Sequence, residues 1–135
     1  MRLLIINSIC GVCGIVMTFL FGVWGHLLTL FMVAIAIDYI SGIAASLKQN
    51  KGLSSKVGFW GLAKKGLMLL IVTLAHHMDM LFGTSWIKDG TISFYLANEL
   101  ISITENYARL GLPLPPKVKN IIASLKSDSN DQNKS

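Results

Sequence analysis

Charge is scarce in this sequence: Asp, Glu, Lys and Arg together make up 14% of its 135 residues, where a soluble domain carries about 25%. Hydrophobic residues reach 53% and the mean hydropathy is +0.58. Disorder needs the opposite balance and is excluded for the body of the chain. Two cysteines are too few for a disulfide scaffold of this length. The apolar residues are massed, not scattered, which argues against a soluble enzyme core. From Leu3 to Ile37 no residue is charged. One straight helix through that stretch would measure about 52 Å at 1.5 Å per residue, against a hydrocarbon core of about 30 Å. The stretch must fold back on itself, and the chain belongs in a membrane.

Acids are missing from one region as well. Lys48, Lys51, Lys56, Lys64 and Lys65 follow one another with no Asp or Glu between them, and they account for the whole net charge of +5. Nucleic-acid binding would want arginines and aromatics spread along a face, so no nucleic-acid partner is expected. A lysine cluster between hydrophobic runs marks a cytoplasmic membrane-flanking loop, and these five lysines set the topology. No internal repeat is present.

Turn chemistry then divides the apolar sequence. Gly22 and Gly25, around Val23 and Trp24, separate a first helix of about Leu3–Phe21 from a second of about His26–Leu47. The first apolar run is more than twice the length of a signal-peptide core, so no cleavage is expected. Asn50-Lys51-Gly52 makes a turn, and Ser54-Ser55 offer helix-start residues. A third helix is expected over about Gly58–Phe82, with Lys64 and Lys65 snorkelling to the headgroups. After a Gly83–Asp89 loop comes a fourth helix, about Thr91–Leu110, ended by Leu112-Pro113-Leu114-Pro115-Pro116. Lys117–Lys126 is expected as a short surface helix and Ser127–Ser135 as a disordered polar tail. The expected fold is therefore all-α, an integral membrane protein of four transmembrane helices, with three spans plus an amphipathic helix as the alternative. Residues 1–112 form the membrane domain and 113–135 a cytoplasmic tail. The positive-inside rule puts the lysine loop and both termini in the cytoplasm and Lys88 outside.

Two features carry the functional reading. Asp38 lies in an apolar helix, where an acid costs about 2.5–3.5 kcal/mol on insertion scales. With Ser41, Gly42 and Ala45 it forms a small-residue seam suited to close helix approach and self-association. On the fourth helix, Asn98, Glu99, Ser102, Glu105, Asn106 and Arg109 fall with Tyr95 within an arc of about 120°. That stripe is expected to meet polar groups of other helices or the water of an opening; Glu105 and Arg109 are also spaced as an i,i+4 pair. Cys10 and Cys13 have redox spacing but sit in an apolar helix, where they are expected as small, buried packing residues. His76, His77 and Asp79 read as residues of the outer membrane interface. Adjacent histidines point about 100° apart on a helix and do not share a metal easily.

Asp38-Tyr39-Ile40-Ser41-Gly42, then Lys51-Gly52-Leu53-Ser54-Ser55-Lys56 and Gly61 to Lys65, resemble the toxin-secretion/phage-lysis holin family. Asn98 to Asn106, closed by Gly111-Leu112-Pro113-Leu114-Pro115, does so too. The resemblance covers much of residues 38 to 115. It implies a non-enzymatic, cofactor-free phage or prophage protein of the host inner membrane. Such a protein assembles into homo-oligomeric lesions that release a cell-wall hydrolase (endolysin) or, in some relatives, a toxin, without required direct contact with that cargo. Many members have two closely spaced start codons; here the next methionine after Met1 is Met17, inside the first helix. The rival readings are a small membrane lipid kinase using Glu99 and Glu105, and a small ion channel or transporter. Against the kinase, no phosphate-cradling glycine loop accompanies the carboxylates.

Overall fold

The computed structural model describes residues 1–52 and 54–132. They form five helices: α1 Arg2–Phe21, α2 His26–Lys48, α3 Ser55–Phe82, α4 Trp86–Leu110 and α5 Pro116–Gln132. The fold is all-α, and α1, α2 and α3 are each long and apolar enough to cross a membrane.

The expected break after Phe21 is present. Gly22 has φ 72°, and a Cβ there would lie 2.5 Å from His76 Cε1. Both the backbone conformation and the close approach demand glycine. α1 touches the rest of the fold near this end, where Met17, Leu20 and Phe21 join the core and Phe19 meets His77 at 5.1 Å between rings. Its remaining apolar side chains, from Leu3 to Val16, are exposed.

Three helix boundaries depart from expectation. α3 begins at Ser55 and not at Gly58, because the Ser54 hydroxyl accepts the Val57 N–H at 3.2 Å and caps the helix one turn earlier. α4 begins at Trp86 and not at Thr91, so most of the expected Gly83–Asp89 loop is helix. Its cap comes from the preceding helix. The Asp79 carboxylate accepts the N–H of Ile87 at 3.0 Å and of Lys88 at 2.8 Å, and the Thr84 hydroxyl at 2.5 Å. An acid at a helix N-terminus satisfies orphan donors and favours the dipole. α5 continues past Lys126 to Gln132, so residues 127–132 are helical where a disordered tail was expected; residues 133–135 lie outside the described part. Pro116 presets the first turn, Ile122 is buried, and extending a nucleated helix adds one hydrogen bond per residue.

α2 and α4 run side by side in the same direction. Lys88 Nζ donates to the Phe21 carbonyl at 2.9 Å, Asn106 reaches Asp38, and Lys48 Nζ donates to the Leu110 carbonyl. These contacts rise in step along both helices. α3 runs against them. Leu28, Phe31, Ala34, Val72, Ile92, Leu96 and Ile103 fill the space between the three, and Phe31, Val72 and Ile92 are wholly buried.

Candidate functional site: a buried ion cluster

Below that apolar core the three helices exchange charges. Asp38 lies near the middle of α2, Glu99 near the middle of α4, and Lys65 of α3 stands between them. Lys65 Nζ is 2.6 Å from Asp38 Oδ2 and 2.6 Å from Glu99 Oε2. Both Lys65 and Glu99 are buried. Asn106, about two turns beyond Glu99 on the same face of α4, donates to Asp38 Oδ1 at 3.0 Å, to the Asp38 carbonyl at 3.1 Å and to Ser41 Oγ at 3.0 Å. Its own amide oxygen accepts from the Arg109 guanidinium. Ser41 Oγ donates back to the Asp38 carbonyl at 3.1 Å. Two carboxylates are thus answered by one ammonium and, through an amide, by one guanidinium. No buried side-chain N or O among the described residues lacks a partner, as a polar layer inside an apolar bundle requires.

This corrects the expectation for Lys65. It does not snorkel: it is 8% exposed, whereas its neighbour Lys64 is exposed. Adjacent residues point about 100° apart on a helix, so when Lys64 faces outward Lys65 faces the bundle. Of the other lysines, Lys51 and Lys56 are exposed on the loop side, and Lys48 closes the end of α4.

The seam residues lie against α4 of the same chain. Ser41 and Ala45 are buried, and a Cβ on Gly42 would sit 3.4 Å from Asn106 Nδ2. The stripe of α4 is divided. Glu99 and Asn106 point into the bundle, while Ser102 and Arg109 border a cavity. Asn98 and Glu105 are exposed, because they lie about 100–120° around the helix from Glu99. Arg109 turns to Asn106, so the spacing from Glu105 does not become an ion pair among the described residues.

The sequence reading placed Asp79 at the outer membrane interface and did not foresee that it caps α4. It also missed Lys65 as the partner of Asp38 and Glu99. A signal existed for the second: three charges of mixed sign inside apolar helices need one another. Among the described residues no group of His, Cys, Asp and Glu is placed to hold a metal ion, and Cys10 and Cys13, expected as buried packing residues, are free and exposed because the first part of α1 packs against nothing else in the chain.

The chain matches the bacteriophage holin family over residues 15–127. It is 35% identical over 106 residues to a probable holin of Bacillus phage phi105, covering 78% of this chain and 77% of that one. An uncharacterized protein of Listeria innocua is 44% identical over 120 residues, covering 88% and 85%. An uncharacterized 14.9 kDa protein of Clostridium perfringens is 38% identical over 116 residues, covering 84% and 87%. No solved structure matches.

Proposed function

Because the chain belongs to the bacteriophage holin family, we propose that it accumulates in the bacterial inner membrane, associates with its own copies and opens lesions that let a cell-wall hydrolase or a toxin out. The family also points to a non-enzymatic protein of the membrane. The observation that carries the proposal is the ion cluster of Asp38, Lys65 and Glu99, held inside a bundle whose exterior is apolar. In this resting form polar groups satisfy one another within a single chain, and lipid meets Leu, Ile, Val and Phe. A water-filled opening needs the reverse arrangement. Copies that turn the Glu99–Asn106 face of α4 toward a shared space would line it with carboxylates and amides, and the seam at Ser41, Gly42 and Ala45 would then be open to a neighbour.

Four spans fit this reading better than three. α4 follows α2 along its whole length and keeps Glu99 and Asn106 away from lipid, so its lower hydropathy does not keep it out of the membrane. With the lysine loop inside, both termini are cytoplasmic and the Asp79–Lys88 end is outside. The lipid-kinase reading is weaker: Glu99 is engaged by Lys65, and Glu105 points away from it.

The test is to induce the protein in bacteria while following membrane potential and the escape of a cytoplasmic cell-wall hydrolase. Abrupt loss of potential together with hydrolase escape is expected. Ion leakage without hydrolase escape would overturn the proposal in favour of a channel, and lipid turnover by the purified protein would favour the kinase.

A further inference from the structure

Between α2 and α3, with α4 behind, lies an open cavity of about 230 Å3 whose walls run from Asp38 and Lys65 up to Gly52 in the loop. Its shape, chemistry and depth all bear on what it holds. Gly61 borders it, and a Cβ there would meet nothing within 4 Å. Tyr39, Ser46, Ser102 and Arg109 border it and bring hydrogen-bond donors. Arg109 gives one N–H to Asn106, and no carboxylate among the described residues pairs with it.

The charged side chains bordering the cavity are Asp38, Lys65 and Arg109; Lys65 answers Asp38 and Glu99, and Lys51, Lys56 and Lys64 are exposed on the adjoining loop and first turns of α3. The flanks are apolar instead: Ile40, Val57, Phe59 and Trp60 are exposed. Depth agrees with this division. Lys65 lies about 21 Å along α3 from Asp79 at 1.5 Å per residue, so in a hydrocarbon core of about 30 Å the cavity opens at the headgroup level of the leaflet beside the lysine loop. A polar recess with Arg109 in its wall, lysines on the adjoining loop and apolar flanks at that depth fits an amphiphile with an anionic head, and basic sites between membrane helices are a known form of lipid-headgroup recognition.

We infer that this crevice binds the phosphate headgroup of an anionic membrane phospholipid, with Arg109 as its main contact and the acyl chains lying along Ile43 and Val57. The inference rests on the chain being embedded in a membrane and not on its forming lesions. A chain that fails to release a hydrolase could still bind the lipid, and the reverse.

The experiment is native mass spectrometry of the purified full chain in detergent, supplied with phosphatidylglycerol, phosphatidylcholine or inorganic phosphate. Wild type should retain phosphatidylglycerol in preference to phosphatidylcholine. Arg109→Gln should weaken that retention about fivefold, the factor expected for one basic residue at a membrane surface. Gly61→Leu places a side chain in the crevice, removes no hydrogen bond and meets nothing within 4 Å at its Cβ, so it separates loss of the site from loss of the fold; it should abolish the preference. Lys117→Gln, on α5, should not. Retention unchanged by Gly61→Leu, or reduced equally by Lys117→Gln, would mean diffuse surface attraction and overturn the site. Displacement of the lipid by inorganic phosphate at equal concentration would overturn the lipid assignment in favour of a free anion.

Discussion

Lys65 is the side chain on which the interior depends, since among the described residues it alone is paired with both Asp38 and Glu99. Removing one partner of a buried charged group is far worse than removing all of them, because the remaining charge is stranded. Lys65→Met should destabilise the folded chain by about 3–5 kcal/mol, read as an earlier transition in an SDS titration. Adding Asp38→Asn and Glu99→Gln to that variant should restore most of the loss. A triple variant no better than the single one would show that the cluster is not an electrostatic unit. Asp79→Ala should cost about 0.5–2 kcal/mol, the usual range for a helix cap, with faster amide exchange at Ile87 and Lys88. Neither role was legible from residue type. Hydropathy assigns every lysine beside an apolar run to the surface, and a cap is ordinarily sought immediately before its helix, whereas Asp79 reaches α4 from α3.

At the scale of the element, the glycines at the α1–α2 turn, the serine start of α3 and the proline end of α4 were legible because each acts within a few residues of itself. The packing of α2 on α4 was not, since their contacts join residues far apart in the chain, such as Ser41 and Asn106. That packing changes what a substitution at Gly42 tests. Gly42→Ala should be tolerated, because 3.4 Å from Asn106 Nδ2 is ordinary contact. Gly42→Leu should push α4 away and lower stability by about 1–3 kcal/mol, as overpacking does, in monomeric protein as well as in oligomers. The same SDS titration reads it. The span of α4 is checked separately. Reporter fusions after Lys56 and Ser135 should report cytoplasm and a fusion after Lys88 the outside. If Ser135 reports outside while Lys56 reports inside, α4 does not cross.

For the whole molecule, the proposed opening of a lesion would require one face of α4 to exchange its surroundings. With Cys10 and Cys13 replaced by alanine, a membrane-impermeant thiol reagent added outside intact cells should modify Ser102→Cys only after the potential collapses. Leu100→Cys, about 160° away on the helix, should stay weakly labelled throughout. Equal labelling of both would mean an exposed helix with no distinct water-facing side. The ion cluster has a last consequence, for how the chain enters the bilayer at all. During synthesis the helices arrive in order, and Asp38 enters alone, with no countercharge for its carboxylate. α3 then delivers Lys65, and α4 brings Glu99 and Arg109 together, so every later stage inserts without a net charge in the bundle. The costly moment in insertion is then the interval between α2 and α3, when the Asp38 carboxylate has no partner.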